Sequence, residues 1–268
     1  MSEACAIVLA AGKGTRMKSD LPKVLVPIAG RPMIDFVLDM LDACGVRRQL
    51  IVVGYRSDLV REHLASRRTA CSTPAASASE LVFVEQTEQL GTGHAVMVCR
   101  EQLAGVGGGA GVNGPVLIVT GDSPLVRPET IRVLLGEFAK TAPACLMGTA
   151  RKENPQGLGR IVRDGAGRFE AIVEERDATP EQRKITEVNM SCYVFDAADL
   201  LWSLDRLKAD NAQREYYLTD CPGLLRREGR AVEAAPLLSP IETLSINTPD
   251  ELREVEAAWL ATSQRGVE

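Results

Sequence analysis

Ala6-Ile7-Val8-Leu9-Ala10-Ala11-Gly12-Lys13-Gly14-Thr15-Arg16-Met17-Lys18-Ser19-Asp20-Leu21-Pro22-Lys23-Val24-Leu25 is the stretch on which the fold turns. Ala6–Leu9 is a short apolar run of buried-strand character that feeds directly into a glycine loop. The loop carries cations at Lys13, Arg16 and Lys18, and Lys23 follows behind Pro22. Glycines let a backbone approach a polyphosphate closely, and exposed N–H groups with fixed cations neutralise it. The stretch therefore predicts a strand followed by a triphosphate grip. Two well-known grips are excluded by their spacing. Met17 breaks the dinucleotide pattern G-x-G-x-x-G, and the loop does not fit G-x-x-x-x-G-K-[ST].

Working outward, strand and helix patterns alternate. Strand-like runs fall at Ala6–Leu9, Leu50–Val53, Leu81–Glu85 and Val116–Thr120. Amphipathic stretches fall near Met33–Ala43, Ser57–Ser66, Gly93–Leu103 and Pro128–Lys140. This alternation predicts βαβ units and a doubly wound α/β sheet. Ligands of such sheets bind beyond the carboxyl ends of the strands. The glycine loop lies at one such end and Thr120-Gly121-Asp122-Ser123-Pro124 at another, so the two can share a crevice.

The second half changes character. Leu146–Ala150, Gly159–Val162, Phe169–Glu174 and Val188–Phe195 read as strands, with an Asp-Gly hairpin connection over Arg163–Arg168. A helix is expected over Ala197–Leu207 and another after Tyr217. Thr248-Pro249-Asp250-Glu251 is a capping box with proline at the first helical position, so a last helix runs to about Thr262. Thr69–Ser79 and Ala104–Gly114 are low in complexity and read as surface insertions. No linker and no internal repeat divides the chain. Residues 1–268 are therefore read as one domain, with a nucleotide-binding half over 5–125, a sugar-binding half over 126–246 and a closing helix over 247–263.

The 268 residues carry a net charge of −5, with 45% hydrophobic and 25% charged residues. That balance suits a soluble globular protein and argues against nucleic acid as a partner, because phosphate-backbone binding needs a basic face. No apolar run is long enough for a membrane span, and the N-terminus has no basic leader, so no membrane partner and a cytoplasmic location are expected. Seven cysteines, odd in number and without C-x-x-C spacing, read as small buried hydrophobes in a reducing compartment. With only His63 and His94, a histidine-based metal site or a Ser-His-Asp triad finds little support.

Several polar groups sit where they can do chemistry. Asp122 follows an apolar strand and a glycine; it is either a turn residue or an oxygen ligand for Mg²⁺, which takes few protein ligands and completes its shell with phosphates and water. Gln86, with a donor and an acceptor, can pair with a nucleobase edge, Gly91 can lie against a planar ring, and Thr92 opens a helix; a polar strand-to-helix loop is the plainer alternative. Gly159, Glu174 and Asn189 lie at strand edges, where Glu174 and Asn189 can meet sugar hydroxyls and an amide or simply face solvent. Asn247 precedes the last helix; if Thr248 caps that helix, the Asn247 side chain is free for a metal.

The order of these segments carries a resemblance. Leu9–Met17 with Leu21-Pro22-Lys23 resembles the signature of sugar-1-phosphate nucleotidylyltransferases. With Gln89–Ala95, Gly121-Asp122, Gly159-Arg160-Ile161, Ile172-Val173-Glu174, Asp177-Ala178-Thr179, Glu187-Val188-Asn189 and Glu215–Asp220, about residues 5 to 260 resemble the uridylyltransferase domain of bacterial bifunctional N-acetylglucosamine-1-phosphate uridylyltransferase/glucosamine-1-phosphate acetyltransferase. The resemblance implies a Rossmann-like doubly wound mixed sheet of the nucleotide-diphospho-sugar transferase type with a small sugar-binding β lobe. It implies UTP and N-acetylglucosamine 1-phosphate as partners and Mg²⁺ as cofactor, in the synthesis of a cell-envelope precursor. Leu9, Ala10, Ala11 and Gly12 would hold the nucleotide through their backbone, with Gln86, Gly91 and Thr92 around uracil and Gly121 beside them. Arg16 and Lys23 would hold phosphates, Asp122 and Asn247 the metal, and Gly159, Glu174 and Asn189 the sugar.

This chain departs from the family at Leu158, at Met190-Ser191 and at Thr120, where the family often has Tyr, Thr-Gly and Tyr. The exact sugar is open at those positions. The hexapeptide repeats of the acetyltransferase half are absent from the sequence, so that activity is not expected of this chain, nor the trimer those repeats build; a monomer or weak homo-oligomer is. Two other readings remain: a nucleotidylyltransferase for another sugar phosphate or NTP, and a catalytically silent domain that senses nucleotide sugar.

Overall fold

A computed structural model describes residues 4–17, 19–70, 79–105, 111–244 and 246–265. Lys18 and the low-complexity residues 71–78 and 106–110 lie outside them. The strands and helices, in chain order, are β1 (Cys5–Leu9), β2 (Pro27–Ile28), β3 (Arg31–Pro32), α1 (Met33–Ala43), β4 (Arg48–Val53), α2 (Ser57–Ala70), β5 (Glu80–Glu85), α3 (Thr92–Met97), α4 (Arg100–Ala104), β6 (Pro115–Thr120), α5 (Pro128–Thr141), β7 (Cys145–Arg151), β8 (Arg160–Arg163), β9 (Phe169–Val173), β10 (Glu187–Asp196), α6 (Ala197–Leu204), α7 (Asp220–Arg227), β11 (Val232–Ala235) and α8 (Pro249–Arg265).

The main sheet runs β11-β7-β10-β6-β1-β4-β5, with β8 on β10 and β9 on β8. β6, β1, β4 and β5 are parallel, while β10 lies antiparallel between β6 and β7, so the sheet is mixed as expected. From β1 the chain winds outward through β4 to β5, then returns to β6 on the other side of β1. That reversal makes the carboxyl ends of β1 and β6 the crevice for a ligand. The glycine loop leaves one end and Gly121-Asp122 leaves the other, and the Gly121 N–H donates to Leu9 O at 2.9 Å across the gap.

Alternation in the strands divides the core in two. Cys5 and Ile7 of β1 face a cluster with Val96 of α3, Leu103 of α4, Leu200 and Leu204 of α6 and Leu225 of α7. Ala6 and Val8 face the other, with Leu38 and Leu41 of α1, Leu64 of α2 and Leu134 and Phe138 of α5. A third, smaller cluster joins Met17, Val26, Ile28, Met33 and Phe36 to Val255 and, in part, Trp259 of α8. Met17 is thus a buried anchor, which is why no glycine stands there.

Five features differ from the sequence reading. The stretch Gly93–Leu103 is two short helices, α3 and α4, broken at Val98-Cys99, and α6 ends at Leu204 rather than Leu207. The β8–β9 connection is not a two-residue Asp-Gly turn. Its left-handed residue is Gly167 (φ +77°), and Asp164 closes the loop by accepting the N–H groups of Ala166 and Arg168. The β2–β3 hairpin turns on Ala29 and Gly30, both at positive φ, without the Asn-Gly or Asp-Gly signature such turns favour. β11 lies parallel to β7 at the sheet edge; four residues, Val-Glu-Ala-Ala, are too few and too weakly patterned to announce a strand. The six described cysteines are free, and burial pushes their thiols upward, Cys5 to about 11 and Cys192 to about 12. Among the described residues no helix is long and apolar enough to cross a membrane.

Candidate active site

The glycine loop is built by hydrogen bonds that follow from its composition. Ala10 N–H donates to Val52 O at 2.9 Å, and the Ala11 carbonyl accepts from Tyr55 N–H at 3.2 Å, so the loop is tied to β4. Gly14 has φ +66°, and a Cβ there would lie 2.9 Å from Lys23 Cβ. Glycine at 14 therefore lets the Lys23 stem cross the loop, and Pro22 sets the turn that presents it.

The three described loop cations, Lys13, Arg16 and Lys23, part company here. Lys13 rests over the Tyr55 ring, its Nζ 5.0 Å from the centroid. Lys23 Nζ donates to Asp122 Oδ2 in a short ion pair and to Asn247 Oδ1 at 2.8 Å. Arg16 Nη2 reaches the same Asn247 oxygen at 3.0 Å. These four side chains come from β1's loop, the end of β6 and the start of α8. The Lys23 and Asp122 side chains are 14% and 23% exposed, so the pair is shielded but reachable. The capping box expected at α8 forms: Glu251 accepts the N–H groups of Asn247 and Thr248, and Thr248 Oγ1 accepts the N–H of Glu251. The Asn247 side chain is thereby left to face the cluster.

Beside the cluster lies a cleft of about 280 Å³. It gathers Leu9, Ala11, Gly12, Lys23, Gln86, Gly91, Thr92 and Asp122 of the expected residues, and adds Val24, Gln89, Ala95, Thr120 and Glu215. Ala10 is only 1% exposed and packs into the core, so its side chain cannot contribute. Gly121 does not line the cleft but is buried behind Val24, where a Cβ would meet Val24 Cγ1 at 2.9 Å. Gln86 is buried, and its Nε2 donates to Gly91 O at 3.2 Å and lies 3.1 Å from His94 Nδ1. Gly91 has φ +104° and ψ 176°, and a Cβ there would stand 2.6 Å from Tyr216 O. The glycine is thus required by the backbone of Glu215-Tyr216 as well as by any ligand. Thr92 Oγ1 accepts the Leu218 N–H at 3.1 Å, tying the same segment down.

Gly159, Glu174 and Asn189 also converge. Asn189 N–H donates to Gly159 O at 2.8 Å, and a Cβ on Gly159 would lie 3.3 Å from Glu174 Oε1 and 3.5 Å from Asn189 Cβ. Burial raises the Glu174 carboxyl above its ordinary value, and the Thr219 hydroxyl beside it works the other way. The register of β10 slips between Asn189 and Cys192. At that bulge Ser191 has φ +52°, and its N–H donates to Asn189 Oδ1 at 3.1 Å, which fixes the amide. This left-handed position accounts for the glycine that the family often carries there. Leu158 and Met190 are half-buried against the core.

The sequence assigns no role to Tyr193 and Tyr217, whose hydroxyls are buried; burial raises both, and the charge of Glu174 adds to the rise. Tyr193 sits in a continuous apolar strand, where sequence cannot separate it from ordinary core. A second, open depression of about 520 Å³ near Trp202, Arg206 and Lys208 holds none of these groups.

Residues 6–214 match the MobA-like NTP transferase domain. The chain belongs to that family. It is a nucleotidyltransferase by this membership, and the match ends before Thr219 and Asn247. Among curated proteins, the bifunctional protein GlmU of Geobacter metallireducens is 43% identical over 254 residues, covering 95% of this chain and 50% of the relative. That of Enterococcus faecalis is 39% identical over 248 residues, covering 92% and 50%. The chain spans about half the length of the curated relatives it matches. Two solved structures share the fold. A putative glucose-1-phosphate thymidylyltransferase from Bacillus anthracis, in complex with sucrose, superposes with TM-score 0.73 at 18% identity over 95% of this chain and 94% of that one. A UDP-glucose pyrophosphorylase complexed with UDP-glucose superposes with TM-score 0.74 at 17% identity over 98% and 100%.

Proposed function

We propose that the chain joins UTP to N-acetylglucosamine 1-phosphate, giving UDP-N-acetylglucosamine and pyrophosphate. The observation that carries this reading is the meeting of Lys23, Asp122, Asn247 and Arg16 at the mouth of a cleft on the topological switch point. An oxygen of the sugar phosphate attacks the α-phosphorus of UTP, the bond to the β-phosphate oxygen breaks, and pyrophosphate leaves with that electron pair. A phosphate monoester dianion is already a competent nucleophile, so no covalent enzyme intermediate is needed. The protein's task reduces to positioning and charge neutralisation.

Arg16 and Lys23 supply fixed positive charge to the phosphates. Gln86, Gly91 and Thr92 border the base. The Glu174 carboxylate accepts from a sugar hydroxyl, and the Asn189 amide, held by Ser191, faces the acetamido group. The oxygens of Asp122 and Asn247 suit a hard divalent ion: both already rest on one cation, the Lys23 ammonium. A magnesium ion needs few protein ligands, because phosphate and water oxygens complete its shell, so two side-chain oxygens suffice for this reading. Bound there, Mg²⁺ would neutralise charge on the triphosphate.

Pyrophosphate release measured across four NTPs and several sugar 1-phosphates tests the reading. UTP with N-acetylglucosamine 1-phosphate is expected to turn over fastest. A different preferred pair would move the assignment to another sugar nucleotidylyltransferase, and silence on every pair would favour the sensing domain.

A further inference from the structure

Lys23 makes a contact that a phosphate clamp does not require. Its Nζ lies between Asp122 Oδ2 and Asn247 Oδ1, the two oxygens assigned above to the metal, at 2.8 Å from the second. A magnesium ion sits about 2.1 Å from its oxygen ligands. An ammonium bridging this pair and a metal bound to the same pair therefore exclude each other. We infer that Lys23 is a resident counter-ion of the metal oxygens, and that the triphosphate admits the metal by drawing the ammonium away. This rests on the metal assignment proposed above and adds an order of events to it.

Charge and mobility both favour the exchange. Lys23, Arg16 and Asp122 together carry a net charge of +1, and a divalent ion alone would raise it to +3 in one cluster. A triphosphate arriving with the ion reverses that excess. The Lys23 stem is held where it crosses Gly14, so only the flexible outer part of the chain has to move. An ammonium on a flexible stem suits such a transfer better than a guanidinium locked in a fork. Asp122 is then never an unpaired carboxylate at the crevice: it exchanges one cation for another.

The test is metal binding in the absence of nucleotide, read as the loss of the free Mn²⁺ signal in electron paramagnetic resonance. Lys23→Met is expected to bind Mn²⁺ at least about tenfold more tightly than the wild type, the size of one unit of like-charge interaction. Adding Asp122→Asn to Lys23→Met should abolish the gain. Lys13→Met, which removes an equal charge from the same loop away from Asp122, should leave the affinity unchanged. Circular dichroism and thermal melting check that the variants fold, and Lys23→Gln replaces Lys23→Met if the latter does not. If Lys23→Met binds no better than wild type while Asp122→Asn still weakens binding, the exchange is overturned and the metal assignment stands. An equal gain in Lys13→Met also overturns the exchange, since net charge alone would explain it. If Asp122→Asn changes binding in neither background, the metal assignment itself falls, and the inference with it.

Discussion

Gly91→Ala places a methyl group where the backbone of another segment already lies. The new Cβ would stand 2.6 Å from Tyr216 O and 2.8 Å from Glu215 Cβ, inside van der Waals contact, and neither neighbour is the loose end of a flexible side chain. The residue's own backbone, φ +104° and ψ 176°, belongs to a region that only glycine occupies without strain, at a cost of about 1–3 kcal/mol for another residue. To escape the clash, Glu215-Tyr216 must withdraw. That stretches the bonds from Tyr216 N–H to Leu90 O (2.8 Å) and from Gly93 N–H to Tyr216 O (2.7 Å). Each is worth about 1 kcal/mol. The expected loss is about 3–5 kcal/mol, a large share of the ~5–15 kcal/mol by which domains are stable. With an unfolding entropy of about 2.1 cal/mol/K per residue over 268 residues, Tm should fall by about 5–9 °C. The same strain displaces the residue-91 carbonyl on which Gln86 rests, so the KM for the nucleotide should rise more than that for the sugar phosphate. Calorimetry paired with Gly157→Ala isolates the clash, since Gly157 has φ +81° but open space around its Cβ. That control should lose only about 1–2 kcal/mol, or about 2–4 °C. Equal shifts for the two variants would refute the close approach of Glu215-Tyr216 to Gly91.

Ser191→Gly has the opposite sign. Relief of a left-handed residue should raise stability by about 0.5–1 kcal/mol, or 1–2 °C, less than the full strain because glycine also loosens the unfolded chain; a lower Tm would contradict the bulge at Asn189. Glu174→Gln should stabilise the protein at pH 7.5 while weakening sugar-phosphate binding. Burial lifts this carboxyl above 4.5, so the native state keeps its proton where the unfolded chain has lost it. The stability penalty is absent below the unfolded value and grows as pH climbs through the folded one. Urea titrations of both proteins from pH 4 to 8 should converge at the acid end, and a constant difference would refute the buried carboxyl. Asp122→Ala should lower kcat by about 10²–10³ with Tm little changed, and near-normal turnover in magnesium would refute the catalytic cluster. Trp259→Ala removes the edge-on contact with Phe36, 5.6 Å between centroids, and should cost about 1–3 kcal/mol, which denaturant unfolding measures directly.

The parts legible in the sequence are those whose signal is local. Met33–Ala43 has an amphipathic stripe and was placed to the residue, and Pro128 marks the start of α5 through its fixed φ. The glycine loop could be read because its phosphate chemistry is written in consecutive residues. β11 and the Ala29-Gly30 turn were hidden for the opposite reason: each is defined by a neighbour, one by β7 and the other by two strands of two residues. The same distinction divides the site. Asp122 and Lys23 could be named from their own surroundings, but that Lys23 bridges Asp122 to Asn247 depends on a contact across 224 positions. The left-handed Ser191 belongs to the bulge in β10, and no single residue there signals it.

The small third cluster, in which α8 lies against the β2–β3 hairpin, has a consequence for how the protein comes into being. Ribosomes deliver the chain from the N-terminus, so the phosphate loop, Lys23 and Asp122 all emerge well before Asn247. A partly made chain thus owns the ion pair but lacks its third member. The docking of α8, through Val255 and the bond from Ala29 N–H to Glu256 Oε1, brings that member home. On the function proposed above, competence for nucleotide transfer would be tied to the arrival of the closing helix. A chain cut before Asn247 lacks α8 and also the oxygen on which Lys23 and Arg16 meet.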